Sequence, residues 1–273
     1  MEKFVIEGQD ISKVIDHQHI IKKINMNFPY NSIVLIEGKN GSGKSVTLKM
    51  LAHILKPSSG TLKVNGIVSY APDHLPSTIN LTIKEYLKFI KDINSNTHFS
   101  MNIEELISRF NLTPFLEKRI KECSKGTQQK VNLIQCLARK VDIYIMDEPF
   151  SGLDKRAIVQ LKSIFSELKQ SATIVLTSHE EALDYSFITH KFNLEKNSFA
   201  VNKYETKAKS MIVKTRESLD SNLCKNLKEF GAQVINNVQI KVNVAKSNQL
   251  IMLLIEEGYL IKEVREDNED GTY

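Results

Sequence analysis

Residues 4–28 alternate apolar and polar positions in short runs, the period of strands that bury one face, and this predicts antiparallel strands. Ile33, Val34, Leu35 and Ile36 then run together without a polar break, as in a fully buried strand. Apolar residues return at helical spacing over 46–55, until Lys56-Pro57 stops the helix. A turn at Pro57-Ser58-Ser59-Gly60 precedes two short strands over 61–66 and 67–70. From Ile83 to about Leu137 helical periodicity dominates, through Tyr86, Leu87, Phe89 and Ile90 and then Ile103, Leu106, Ile107 and Phe110, broken by loops such as 94–97. Two apolar strands, 143–146 and 173–177, flank a helix over 156–168. Strand, helix and strand with wholly apolar strands argue an α/β architecture, its parallel sheet covered on both faces.

The pattern changes near Thr206. Residues 211–214 predict a strand, 219–230 a helix, 233–244 a hairpin or one long strand, 249–257 a second helix, and 260–264 a last strand. The acidic stretch 266–270 predicts a disordered end. The expected organisation is a larger α/β domain, 1–205, followed by a small α+β extension, 206–273, with an acidic tail.

A chain of 273 residues with 41% hydrophobic and 25% charged residues has the composition of a soluble globular protein. No run approaches the roughly 18 consecutive apolar residues of a membrane-crossing helix, and residues 1–7 are too charged for a secretion signal, so a cytosolic protein is expected. Cys123, Cys136 and Cys224 form neither an even disulfide set nor closely spaced metal ligands, and read as reduced and structural. The net charge of +5 reads as a solvated basic face. Absence of Trp and scarcity of aromatics argue against stacking platforms for single strands, and no nucleic-acid partner is expected.

The candidate chemistry begins at Gly38-Lys39-Asn40-Gly41-Ser42-Gly43-Lys44-Ser45, between the buried strand and the helix opened by Val46. Three glycines let the backbone aim successive N–H groups inward, and the helix start adds its positive end, so the loop suits the β-phosphate of a nucleoside triphosphate. Lys44 reaches the β- and γ-phosphates, and the Ser45 hydroxyl ligates Mg²⁺. Strand 143–146 ends in Asp147-Glu148, where Asp147 can hold Mg²⁺ and Glu148 can polarise an attacking water. Ser124 and Gly126 stand at a helix start, an ordinary N-cap by itself and equally a place for an anion. Ser151-Gly152-Leu153-Asp154 follows Pro149, and His179 closes the last strand of the core, where it can bond a γ-phosphate or serve only the fold.

In that order these motifs resemble the ATP-binding cassette family over roughly residues 3–195. The resemblance implies a phosphate-loop NTPase fold with an antiparallel β subdomain, a parallel core sheet and a helical subdomain at about 75–130. It further implies a head-to-tail dimer in which Ser124 and Gly126 cap ATP held by the phosphate loop of the other subunit. A homodimer and a heterodimer both satisfy that. The implied protein is the ATP-hydrolysing subunit of a membrane transporter, bound to separate integral-membrane permease subunits on the inner face of the cell membrane.

Some positions depart from the family pattern. Val46 replaces the hydroxyl that often follows the Mg²⁺ serine, and the resemblance implies that its backbone N–H serves the α-phosphate. Cys123, Lys125 and Thr127 replace the first, third and fifth residues of its signature, and Ser-Lys-Gly resembles the single-cassette exporter branch, which implies export. Asp73 stands where the family carries a Mg²⁺-touching glutamine, and is a candidate metal ligand. Ile15 falls where adenine usually stacks on an aromatic ring, with His17 as a substitute. Alternative readings are a soluble cassette ATPase of ribosomes or DNA, and a non-hydrolysing nucleotide sensor.

Overall fold

The computed structural model describes residues 4–93, 102–180, 183–202, 210–220, 223, 227, 230 and 232–266. The loop at 94–97, Cys224, most of the helix expected over 219–230 and the acidic residues 267–270 lie outside them. The chain divides into two compact units, Met1–Lys203 and Tyr204–Tyr273.

Unit one opens with a long hairpin rather than several short strands: β1 (Phe4–Ile15) pairs antiparallel with β2 (Gln18–Pro29). Asp16 and His17 join them with φ of 47° and 62°, the pair of left-handed residues that a two-residue turn between twisted strands requires. After β3 (Ile33–Glu37) and α1 (Lys44–Leu51), β4 (Ser59–Val64) adds to the far side of β1, giving the antiparallel order β2-β1-β4. The remaining strands are β5 (Val68–Ala71), β6 (Ile143–Met146), β7 (Thr173–Thr177), β8 (His190–Asn193) and β9 (Ser198–Val201). They form a second sheet with β3, ordered β5-β6-β7-β3-β8-β9, in which only β9 runs antiparallel to its neighbour.

Side-chain alternation in the buried strands divides the core in two. Val34, Ile36, Ile143, Ile145 and Val175 pack with Leu48, Met50 and Leu51 of α1 and with Val5, Ile11 and Phe28 of the hairpin. Their sequence neighbours Ile33, Leu35, Tyr144, Met146, Ile174 and Leu176 face the opposite side. There they meet α2 (Ile83–Ile93), α3 (Ile103–Arg109), α4 (Lys125–Leu137) and α5 (Lys155–Leu168). Helix starts are encoded locally. Thr82 and Glu85 form a reciprocal capping box on α2, and the side chains of Asn102, Ser124 and Asp154 cap α3, α4 and α5.

Three sequence expectations change. Helix α1 stops at Leu51, because His53 turns left-handed (φ 59°) and the N–H groups of Ile54 and Leu55 both return to the Lys49 carbonyl. The core sheet does not end at His179. The hairpin β8–β9 follows, hidden from pattern reading because its strands are four residues each, β8 is largely polar, and only Phe192 is fully buried. Between Phe110 and Ser124 the chain makes short 3-10 turns, not a continuous helix.

Unit two holds β10 (Ser210–Thr215), β11 (Gln233–Asn236), β12 (Gln239–Asn243), α6 (Val244–Glu256) and β13 (Ile261–Glu266). Residues 233–244 thus resolve into a hairpin, and α6 starts earlier than expected because strand-like alternation runs on through Val244. The antiparallel order β11-β12-β10-β13 is that of the ferredoxin-like split βαβ arrangement. Leu250 and Leu254 of α6 pack on Val213, Ile240 and Val242 in a small core of their own.

Phe165 of α5 is fully buried, with ring centroids 5.9 Å from Phe150 and 6.1 Å from Phe187. Phe165→Ala is expected to destabilise unit one by about 3–5 kcal/mol, measured as a shift in its urea unfolding midpoint.

Candidate functional site

The phosphate-loop residues Gly38 to Ser45 leave the carboxyl end of β3 and enter α1, with Val46 in its first turn. Gly43 caps that helix at φ 97°. A side chain there would be strained and would also collide with Ile21 Cδ1, so β2 packs directly against the loop. Ile15 and His17 are exposed at the β1–β2 turn. Lys44 is buried and donates from Nζ to the carbonyl oxygens of Gly38 (2.7 Å) and Lys39 (2.9 Å). Desolvation lowers its pKa, and the negative charges of Glu148, Asp147 and Glu195 work against that shift. Ser42 Oγ is buried with no hydrogen-bond partner.

The carboxylates stand at the end of β6, and β7 lies between β6 and β3. Thr177, the last residue of β7, therefore faces both. Its hydroxyl donates to Asp147 Oδ1 (2.7 Å) and accepts from the Glu148 N–H (2.9 Å). Asp147 is only 4% exposed, and its own N–H bonds to the carbonyl of Ala71 at the end of β5 (2.9 Å). Glu148 adopts a left-handed backbone (φ 50°) that no glycine relieves. Its Oε2 accepts from the His179 N–H (3.0 Å), while His179 Nε2 lies 3.2 Å from Oε1 without hydrogen-bond alignment. Burial raises the Glu148 pKa, an effect opposed by His179 and Lys44 and reinforced by Asp147. Lys44, Asp147, Glu148 and His179 form one cluster.

Asp73 lies two residues past β5, exposed, with Oδ2 3.3 Å from His74 Nδ1. Ser124 and Gly126 stand elsewhere. They line an open groove with Thr127, Lys130, Gly152 and Asp154, and no phosphate-loop residue borders it. The Ser124 hydroxyl caps α4 by accepting from the Thr127 N–H (3.3 Å) and lies 3.0 Å from the Thr127 hydroxyl. Gly126 faces Gly152 so closely that a Cβ would strike the Gly152 carbonyl oxygen. Lys130 Nζ joins Asp154 Oδ2 at 2.6 Å, which lowers the Asp154 pKa. Cys136 is buried, its thiol pushed up to about 12 by desolvation, so it stays protonated.

Sequence reasoning passed over two residues of the cluster. Thr177 was visible as a hydroxyl at a strand end, but its neighbours depend on strand order. Gln129, whose Nε2 donates to the Glu148 carbonyl at 3.0 Å, lies in the polar run after Ser124 and carries no pattern of its own.

A glycine loop between strand and helix, a buried lysine, and paired carboxylates across an intervening strand define a phosphate-loop ATPase with an antiparallel subdomain and a helical subdomain. The ABC transporter family model matches residues 21–151. An uncharacterized ABC transporter ATP-binding protein of Methanocaldococcus jannaschii is 31% identical over 178 residues, 64% of this chain and 68% of that protein. The zinc import ATP-binding protein ZnuC of Pasteurella multocida is 27% identical over 182 residues, 64% of this chain and 67% of that one. A Bacillus subtilis ABC transporter ATP-binding protein, YxlF, is 29% identical, and the match spans 61% of its length. Among solved structures, one titled as the ATP binding subunit of an ABC transporter superposes with a TM-score of 0.65 at 22% identity, over 92% of this chain and 99% of that one. The chain belongs to the ABC transporter family of ATP-binding, ATP-hydrolysing subunits. Among the described residues no helix is long and apolar enough to cross a membrane.

Because burial raises the Glu148 pKa, the folded state holds its proton to higher pH than the unfolded chain does. Ionised Glu148 therefore costs stability as pH rises above the ordinary glutamate value of about 4.3. Glu148→Gln is expected to melt at a higher temperature than wild type at neutral pH, and the gap is expected to close toward pH 4. Melting curves recorded across that range check the sign.

Proposed function

We propose that this chain is the motor subunit of a membrane transporter: it binds MgATP, closes against a second nucleotide-binding subunit, and hydrolyses ATP to move a separate permease. The observation that carries the reading is the single cluster of Lys44, Asp147, Glu148 and His179 beneath the phosphate loop.

The residues fit a magnesium-bound triphosphate. Lys44 is a buried cation whose present partners are carbonyl oxygens of its own loop, which phosphate oxygens can replace. No three His, Cys, Asp or Glu side chains gather into a metal cage among the described residues, and Mg²⁺ is commonly held by one or two protein groups with phosphates and water. Ser45 and Asp147 would hold it, with Asp73 as a further ligand. When bound, Mg²⁺ neutralises charge developing on the phosphate oxygens. The loop N–H groups and Lys44 bind and orient the β- and γ-phosphates. Glu148, fixed by Thr177 and His179, accepts hydrogen bonding from the attacking water and aligns it with the γ-phosphorus. His179 bonds a γ-phosphate oxygen.

Ser124 and Gly126 face a groove away from the phosphate loop, which supports their acting on nucleotide held by another subunit. The Ser-Lys-Gly signature supports export. Relatives named for zinc import share the cassette, since the permease sets cargo and direction. Co-purification from solubilised membranes identifies that permease, and a permease belonging to an importer would overturn export.

Lys44→Ala is expected to lose ATP binding in a fluorescent-nucleotide titration. Glu148→Gln is expected to keep binding and to lose turnover by about 10²–10⁴-fold in a phosphate-release assay. Equal phosphate release from wild type and both variants would favour a nucleotide sensor instead. With ATP, Glu148→Gln is expected to pass from monomer to dimer in light scattering, and a monomer at saturating ATP would remove the trans role of Ser124 and Gly126.

A further inference from the structure

Helix α4 turns toward the sheet a row of three amides at i, i+3 and i+6: Gln129, Asn132 and Gln135. Asn132 has no exposed surface and Gln129 only 5%, a depth at which a polar side chain must be bonded to be tolerated. The bonds run in one direction. Gln135 Nε2 donates to the Tyr70 carbonyl at 3.0 Å, and Asn132 Nδ2 to the Pro72 carbonyl at 2.6 Å. Asn132 Nδ2 also reaches Gln129 Oε1 at 3.3 Å, and Gln129 Nε2 donates to the Glu148 carbonyl at 3.0 Å. The amides therefore link the segment just before Asp73 to the backbone of Glu148.

That backbone needs holding. Glu148 sits at φ 50°, a conformation a glutamate seldom adopts alone, and a relaxed φ would swing its carboxylate away from His179. Thr177 grips it on the N–H side. On the carbonyl side, Gln129 is the side chain that grips it, beside the Ser151 N–H at 3.1 Å. An amide offers a donor at one end and an acceptor at the other, so the contact from Asn132 to Oε1 decides which end of Gln129 faces Glu148. The Pro72 carbonyl in turn fixes Asn132.

We propose that Gln129 and Asn132 are positioning residues for hydrolysis: a buried amide relay that holds Glu148 in its left-handed conformation and ties it to the Pro72–Asp73 segment. The inference rests on Glu148 being the group that aligns the attacking water. It concerns kcat, not nucleotide affinity, because neither amide touches the phosphate loop.

The test uses the full chain and near-isosteric variants without a donor, Gln129→Met and Asn132→Leu, each made in wild-type and Glu148→Gln backgrounds, with ATP hydrolysis measured under steady-state and single-turnover conditions. In the wild-type background kcat is expected to fall about 10- to 100-fold for Gln129→Met and less for Asn132→Leu, with KM for ATP within about two-fold. In the Glu148→Gln background neither is expected to lower the residual rate further, since the carboxylate they position is already gone. A loss repeated in full in that background, a raised KM at unchanged kcat, or wild-type kcat in both variants would overturn the relay. Should Asn132→Leu fail to fold by circular dichroism, Asn132→Ala takes its place under the same criteria. If Glu148→Gln alone left kcat unchanged, the role of Glu148 itself would fall. If that variant were inactive while Gln129→Met kept full activity, only the relay would fall.

Discussion

The Thr177 hydroxyl is the joint on which the site turns. It ends the strand lying between the one that delivers the phosphate loop and the one that delivers the carboxylates. One oxygen donates to Asp147 and accepts from the Glu148 N–H, so it sets the position of the metal candidate and the backbone of the water-aligning candidate together. Thr177 is fully buried, and its bond to Asp147 lacks competition from water, which makes that bond worth more than the same bond at a surface. The parallel order β6-β7-β3 is what allows this, because parallel strands present all their carboxyl ends at one edge.

Charge confinement explains the rest of the cluster. Burial acts against the charge on Lys44 and against the charge on Glu148, and each is the other's partial remedy. With Asp147 beside them, neither charge is isolated in low dielectric. Lys44 spends its donors on the carbonyl oxygens of Gly38 and Lys39, whose own geometry the glycines permit. The loop and its lysine thus stabilise each other as one folded object, and an entering triphosphate meets a preformed cradle.

Much of this was legible in the sequence because it is local. The loop from Gly38 to Ser45, the strand into Asp147-Glu148, the cap Ser124, and the apolar runs at 143–146 and 173–177 each write their local structure into adjacent residues. What stayed hidden depends on distant partners. Nothing near Gln129 says that its amide reaches the Glu148 carbonyl, and nothing near Thr177 says that β7 sits between β6 and β3. The short hairpin β8–β9 lacks the alternation that marks a strand, since it is an edge held by backbone pairing to β3 more than by burial. Helix α1 looked longer because Ile54 and Leu55 continue its apolar spacing after His53 has already turned the chain.

The same reasoning joins Glu148 to the signature face. From Glu148 the chain passes through Pro149 and Phe150 directly into Ser151-Gly152-Leu153-Asp154. That loop is pinned to α4 twice, by the glycine-to-glycine approach of Gly126 and Gly152 and by Lys130 to Asp154. Gln129 adds a third tie, from α4 back to Glu148 itself. The start of α4 and the carboxylate at the end of β6 are therefore parts of one stiff piece, although they face different surfaces. A displacement of Ser124 and Gly126 is passed toward Glu148 chiefly by the glycine approach, which leaves no room for a side chain, and by the partly shielded Gln129 bond, while the exposed Lys130–Asp154 pair adds less. Mechanical continuity of this kind would give the proposed donor face at Ser124 and Gly126 and the proposed hydrolytic carboxylate a direct way to sense each other.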